Sequence, residues 1–370
     1  MDSNFEIFCA APPGLEPVLA IEARTKGFAD VRYVPGGVTL TGGWPDVWRA
    51  NLDLRGATRI LARIGAFRAF HLAQLDKRSR KFAWAEYLRP DQPVRVEVST
   101  NKKSKIYHAG AAKQRIETAI KEELGAPLSD EATVQIRARI EDNLVQFSLD
   151  TSGESLHKRG HKEAVGKAPM RETLAALFLG AAGYDGTQPV YDPMCGSGTF
   201  VIEAAEIALG LQPGRSRGFA FENLANADPE ALAALRRTTP STTSDLMFYG
   251  SDRNAGAIEA ATQNAQRAGV AENTRFVQAA VGDIVRPEGP AGLVIVNPPY
   301  GARIGNKKQL FSLHGAMGQV LKERFKGWRV GIVTSDGALA NATGLPFDPA
   351  GPPVPHGGLK VRLYQTPPLA

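Results

Sequence analysis

From about Leu156 onward the chain alternates short apolar runs with helix-like segments, and this alternation restricts the available folds more than any other feature. Val190-Tyr191, Leu246 to Gly250, Thr274 to Gln278, Leu293 to Val296 and Val330 to Thr334 read as strands, separated by helical stretches such as Phe200 to Leu209, Ala255 to Ala268 and Leu310 to Arg324. Near-continuous apolar strands alternating with helices form a mostly parallel sheet covered on both faces, an α/β fold of Rossmann type. Lys360 to Tyr364 reads as an added antiparallel strand. Ligands in such sheets bind beyond the carboxyl ends of the strands, near the point where strand order reverses. Two motifs fall at such ends: Asp192-Pro193-Met194-Cys195-Gly196-Ser197-Gly198-Thr199-Phe200 and Asn297-Pro298-Pro299-Tyr300-Gly301.

In the first motif, Gly196 and Gly198 permit a tight turn and a close approach of a ligand to the backbone before a helix begins. The third glycine of a dinucleotide fingerprint is missing, since Phe200 and Val201 occupy its neighbourhood, and no Gly-Lys-Ser/Thr of a phosphate loop occurs. A cofactor without pyrophosphate is therefore expected, and S-adenosylmethionine (SAM) fits. Asp192 at the strand end would match its ammonium, and Asp252 after the next strand would accept from both ribose hydroxyls. Asp283, after the third, would accept from the adenine amine. The stretch from Leu211 to Asp245, rich in Gly, Pro, Ser and Thr, reads as an insertion that lengthens the spacing to Asp252. Cys195 inside the loop reads as a small packing residue rather than a nucleophile.

The second motif suits methyl transfer to a planar amino group. A guanine exocyclic amine is a poor nucleophile, whereas the SAM methyl is already activated, so the site needs orientation more than a strong base. The Asn297 carboxamide oxygen and the Pro298 carbonyl can accept the two N–H bonds, turning the nitrogen lone pair toward the methyl. The prolines stiffen the loop. Tyr300 can stack on a base that has been unstacked from RNA.

The N-terminal half carries a different signal. Between Arg55 and Arg115 stand 15 Lys or Arg against four acids, including Lys77-Arg78-Ser79-Arg80-Lys81 and Lys102-Lys103-Ser104-Lys105, although the formal net charge of the whole chain is only +6. An excess sustained over a whole prospective domain is the footprint of phosphate binding. Lys77, Arg78, Arg80, Lys81, Lys102, Lys103 and Lys105 are its candidate RNA contacts. Arg159, beside His157, Lys158 and His161, is assigned to a basic linker on the same RNA-facing side. The His157/His161 spacing of four could suit a metal on a helix, but Gly160 interrupts it and no third ligand is evident, so no metal is expected.

At 370 residues the chain exceeds the size of one hydrophobic core, and three blocks are expected: 1–67, 68–155 and 156–370. In the first, a strand over Phe5 to Ala10, a helix over Leu15 to Lys26, strands at Val31 to Tyr33 and Gly37 to Thr41, a helix over Trp44 to Leu54 and a strand over Thr58 to Ile64 give the ferredoxin-like order. In the second, helices are expected over Leu72 to Leu88 and Ala111 to Leu124, with a strand at Val94 to Val98 and a hairpin of Val134 to Ile140 with Leu144 to Leu149 around Asp142-Asn143. No apolar run reaches the roughly 20 residues of a membrane span and no signal-peptide pattern opens the chain, so a cytoplasmic monomer without membrane contact is expected. Two cysteines, Cys9 and Cys195, offer no disulfide framework.

Over essentially its full length the chain resembles the THUMP-containing guanine-N2 RNA methyltransferases, and among them the bacterial enzymes that form N2-methylguanosine in 23S ribosomal RNA. The resemblance rests on Asp192 to Phe200, on Asn297 to Gly305, on Leu156 to His161 and on Ala168-Pro169-Met170-Arg171-Glu172-Thr173-Leu174-Ala175. Ser104-Lys105-Ile106-Tyr107-His108, leading into a helix, resembles a THUMP domain, an RNA-binding α+β module. The resemblance implies a class I methyltransferase domain behind ferredoxin-like and THUMP domains. It places Glu172, Asp192, Gly196, Gly198, Asp252 and Asp283 around SAM, and Asn297, Pro298 and Tyr300 around the guanine. Met170 and Arg171 stand where Leu and Lys are usual, and the second methyltransferase unit fused to some relatives is absent, so a dual activity is not expected. The alternatives are a tRNA guanine-N2 enzyme, methylation of DNA adenine or a protein glutamine, and a non-catalytic RNA-binding protein.

Overall fold

A computed structural model describes residues 4–163, 170–237, 244–300 and 307–370. The first elements are β1 (Phe5–Ala10), α1 (Glu16–Thr25), β2 (Ala29–Val34), β3 (Gly37–Gly42), α2 (Trp44–Asp53) and β4 (Arg59–Arg68), which is the expected ferredoxin-like order. They are followed by α3 (Leu72–Arg80), β5 (Val94–Thr100), α4 (Ala109–Leu124), β6 (Val134–Glu141) and β7 (Leu144–Asp150). The two blocks share one seven-stranded sheet of order β2-β3-β1-β4-β7-β6-β5, because β4 pairs antiparallel with β7. The β6–β7 hairpin turns at Asp142 and Asn143, whose φ angles of 49° and 64° match the two left-handed residues that such a tight turn requires.

The basic helix α3 ends at Arg80 instead of continuing to Leu88. Beyond it the chain turns so that Phe82 and Trp84 pack on Phe147, with ring centroids 5.1 and 5.0 Å away, and the indole of buried Trp84 donates to the Ser79 carbonyl at 2.7 Å. Burial of two aromatic rings outweighs the helical preference of the intervening residues.

The remaining elements are α5 (Glu172–Ala181), β8 (Val190–Asp192), α6 (Thr199–Ala208), α7 (Pro229–Arg237), β9 (Phe248–Asp252), α8 (Ala255–Ala268), β10 (Thr274–Gln278) and β11 (Leu293–Val296). They close with α9 (Lys307–Arg324), β12 (Arg329–Thr334), α10 (Gly337–Ala342), β13 (Val354–His356) and β14 (Leu359–Gln365). Their sheet has the order β10-β9-β8-β11-β12-β14-β13, parallel from β10 to β12, with β14 antiparallel to β12 as expected. Fully buried β11 (Leu293 to Val296) and β12 (Val330 to Thr334) pack on Met317, Leu321, Phe325 and Trp328. The strand order reverses at β8, which has β9 on one side and β11 on the other. That is the switch point at which this architecture binds ligands.

The chain divides into two compact units. The first comprises residues 1–11, 23–156 and 217–238, and the second residues 12–22, 157–216 and 239–370. Part of the stretch read as an insertion, including α7, thus belongs to the first unit, where the rings of Trp48 and Phe221 meet at a tilt with centroids 6.3 Å apart.

Candidate active site

The two sequence motifs meet at the switch point. Strands β8 and β11 are paired, Val190 with Leu293 and Tyr191 with Val294, so the chains leaving their carboxyl ends emerge side by side. Asp192, the last residue of β8, is 3% exposed, and one carboxylate oxygen accepts from the Met194 N–H at 3.0 Å. Burial, with the nearby charge of Asp252 adding to it, pushes its pKa up to about 8. Such a carboxyl is poised to ionise when a cation approaches.

The loop after Asp192 is held from β9. The Cys195 N–H donates to the Ser251 carbonyl at 2.9 Å, and the Gly196 N–H donates to Asp252 Oδ2 at 3.1 Å. The other Asp252 oxygen accepts from Asn254 N–H at 2.9 Å, so this half-buried carboxylate braces the loop from the end of β9. Gly196 (φ 52°) and Gly198 (φ 84°) both lie in the left-handed region, for different reasons. A Cβ on Gly198 would meet Ala261 and Phe276 at 3.1 Å, whereas one on Gly196 would meet nothing within 4 Å. Gly198 thus permits close packing of loop on helix, and Gly196 borders open space. Burial pushes the Cys195 thiol well up, with Asp192 and Asp252 adding to it, which agrees with its reading as a packing residue.

Asp283 sits beyond the end of β10, the neighbour of β9, with its side chain exposed and its N–H bonded to the Ala280 carbonyl at 2.9 Å. After β11, Asn297 is half-buried and Pro298 buried. The Asn297 Oδ1 atom is shielded from solvent and accepts no hydrogen bond among the described residues. An unpaired buried carbonyl costs about 1–3 kcal/mol, which is recovered only when a donor arrives. Tyr300 is half-buried, and burial pushes its phenol up to about 12, so it remains a neutral aromatic face with a hydroxyl. Gly301 to Gly305 of this motif, and Ala168-Pro169 of the other, lie outside the described residues.

Glu172 opens α5 and is 7% exposed. Its partner is Lys162, at 3.2 Å, whose ammonium also donates to the Met170 carbonyl at 3.0 Å and to Thr199 Oγ1 at 2.9 Å, at the first residue of α6. Sequence reasoning missed Lys162, because one lysine in a basic run carries no mark of burial.

The linker reading of Arg159 is corrected. Its side chain is 2% exposed and bonded to Glu203 at 3.1 Å, and the equally buried His161 reaches Glu206 at 3.2 Å, with Arg215 on the same carboxylate at 2.6 Å. Two carboxylates on the buried face of α6 demand partners, and Arg159, His161 and Arg215 supply them inside the second unit. They are unavailable to RNA. His157 is half-buried, and burial, followed by the charge of Arg171, lowers its pKa to about 4, so it is neutral at physiological pH. Arg80 is also engaged, with Asp76, Glu122 and Glu123 at 2.9, 2.5 and 3.2 Å. By contrast Lys77, Arg78, Lys81, Lys102, Lys103 and Lys105 are exposed on the first unit.

Among the described residues no group of three His, Cys, Asp or Glu could hold a metal, and no helix is long and apolar enough to cross a membrane. For SAM the donor set fits: a buried carboxyl for an ammonium, an open glycine and a strand-end carboxylate around one loop.

The chain is similar to known proteins along its length. Residues 159–346 match the family described as RMKL-like, methyltransferase domain, and residues 6–61 match the RlmL ferredoxin-like domain. A candidate RNA methyltransferase of Synechocystis sp. is 33% identical over 97% of this chain and 95% of its own length. SMU.472, described as a candidate methyltransferase and solved in complex with S-adenosylhomocysteine, superposes with a TM-score of 0.87 at 28% identity, covering 100% of both chains. A Listeria monocytogenes protein described by prediction as an N6-adenine-specific DNA methylase gives 0.84 at 30% identity, covering 98% of this chain and 96% of that one.

Proposed function

Because the chain belongs to the family of RMKL-like methyltransferases and uses SAM, we propose that it methylates the exocyclic N2 of a guanosine in RNA, with 23S ribosomal RNA as the favoured substrate. The observation that carries this reading is the buried Asn297 Oδ1 just after β11, which no described residue bonds, beside the loop that follows β8. It is an acceptor held ready for one N–H of a planar amino group, and the Pro298 carbonyl is the natural acceptor for the second. When bound, SAM supplies an activated methyl group on a sulfonium.

On this reading Asn297 and Pro298 fix the amino nitrogen so that its lone pair faces the methyl, and Tyr300 stacks on the extruded base. Asp192 holds the cofactor ammonium, Asp252 the ribose hydroxyls and Asp283 the adenine amine, while Glu172 lies next to the start of α6. No strong base is needed, because the nitrogen sheds its proton once it carries the new methyl and becomes acidic. RNA is favoured over DNA by the Synechocystis relative and by the exposed lysines of a THUMP-like first unit, a fold region suited to reading RNA by backbone and shape.

The test is incubation with radiolabelled SAM and separate unmodified pools of 23S rRNA, 16S rRNA, tRNA and DNA, followed by nucleoside analysis. N2-methylguanosine in 23S rRNA is the expected product. The same nucleoside in tRNA keeps the chemistry and changes the substrate. N6-methyladenine in DNA, the activity ascribed to the Listeria protein, would overturn the reading.

A further inference from the structure

Two large aromatic side chains stand exposed on the basic surface of the first unit: Phe70, 41% exposed, and Tyr107, 73% exposed. Lys105 connects them, its ammonium 5.6 Å from the Phe70 ring centroid and its backbone two residues before Tyr107. Lys102 and Lys103 are exposed on the same loop. The run from Asn101 to His108 contains no acid.

This surface is built rather than incidental. Asn143, at a φ of 64°, binds both sides of it: its carbonyl accepts from the Ala69 N–H at 2.9 Å, next to Phe70, and its side-chain oxygen accepts from the Lys105 N–H at 2.8 Å. Ser104, 3% exposed, donates to the Asn101 side chain at 2.8 Å and to the Ile140 carbonyl at 3.2 Å. Thr100 Oγ1 donates to the Tyr107 carbonyl at 2.9 Å. The loop backbone is thus fixed while its lysine and tyrosine side chains point to solvent. Ile106, the one aliphatic residue among them, is buried at 4% exposure, so the apolar area on offer is flat ring rather than branched chain.

We propose that this surface binds an unpaired stretch of RNA, with bases stacked on Tyr107 and Phe70 and phosphates held by Lys102, Lys103 and Lys105. Flat rings interleaved with lysines fit a single strand, whose bases offer free π-faces between charged phosphates. A duplex hides those faces, and a membrane or an apolar peptide calls for aliphatic surface. The inference deepens the RNA reading above and rests on it: it names the part of the substrate that the first unit grips.

The experiment measures binding of the full chain to a fluorescent single-stranded RNA of about 12 nucleotides, within the site sizes usual for single-strand binding modules, and to the same sequence as a duplex, over a salt series. Variants are Phe70→Ala, Tyr107→Ala, the pair together, and Lys102, Lys103 and Lys105 all changed to Glu, each checked for unchanged thermal unfolding. Wild type is expected to prefer the single strand. Each aromatic replacement weakens single-strand binding about tenfold while leaving the salt slope unchanged. Charge reversal flattens the slope by about 0.7 for each phosphate that is no longer neutralised. If the double aromatic variant binds the single strand as tightly as wild type, the stacking surface is wrong, while methylation of RNA by wild type would leave the main reading intact. If wild type neither binds nor methylates any RNA, both fail together.

Discussion

Lys162 and Glu172, each with a side chain only 9% exposed, pair at 3.2 Å and tie two separated stretches of chain to the start of α6. The lysine has three hydrogens and three acceptors, so its donors are fully used. Removing one member of such a pair strands the other as a buried charge. Lys162→Met is therefore expected to cost about 3–5 kcal/mol of stability and to weaken SAM binding. Lys162→Met combined with Glu172→Leu should cost less than Lys162→Met alone. Thermal unfolding and SAM titration of the single and double variants check this.

Asn297→Ala removes an acceptor that no described residue bonds, without emptying a core position. Turnover should fall by about 10²–10³, with SAM affinity within about twofold of wild type. Near-normal turnover would remove Asn297 from the chemistry.

The two glycines of the loop should separate by measurement. Gly198→Ala places a Cβ 3.1 Å from Ala261 and Phe276 in a left-handed residue, and should cost at least ~1–2 kcal/mol of stability. Gly196→Ala carries the same left-handed strain but meets no protein atom within 4 Å. It should cost less stability than Gly198→Ala while reducing SAM affinity. Equal effects of both on unfolding temperature would count against an open approach at Gly196.

Asp192 gives a pH dependence with a definite sign. Its folded-state pKa of about 8 lies above the ordinary 3.8, so its contribution to stability is present below about pH 4 and is lost as pH rises through 8. Ligand binding runs the other way. An ammonium partner favours the carboxylate, so SAM affinity should rise with pH until it levels near 8, and binding at pH 7 should release close to one proton. Calorimetry in buffers of different ionisation enthalpy measures that proton, and Asp192→Asn should abolish it.

Much of the fold was legible because it follows from local pattern. The strand at Phe5 to Ala10, the hairpin at Asp142-Asn143 and the alternation of strands and helices after Leu156 are all written in apolar period and turn chemistry. The motifs at Asp192 and Asn297 were legible for the same reason, since strand ends and glycines are local. What was not legible is pairing across the fold. Arg159 and His161 look like surface residues until α6 turns Glu203 and Glu206 toward them, and Lys162 looks like any lysine until Glu172 faces it. The short strand Val354–His356 carries too few residues for any period, and α3 stops early because Phe82 and Trp84 find Phe147.

The passage of residues 217–238 into the first unit changes what can be cut or exchanged. The chain does not join its two units by one tether. It enters and leaves each of them several times, so a single proteolytic nick near residue 156 releases neither. A fragment ending there would lack α7 and Phe221, removing the ring that packs against Trp48. Grafting the first unit of a relative onto this second unit therefore requires transplanting three segments of sequence together, residues 1–11, 23–156 and 217–238.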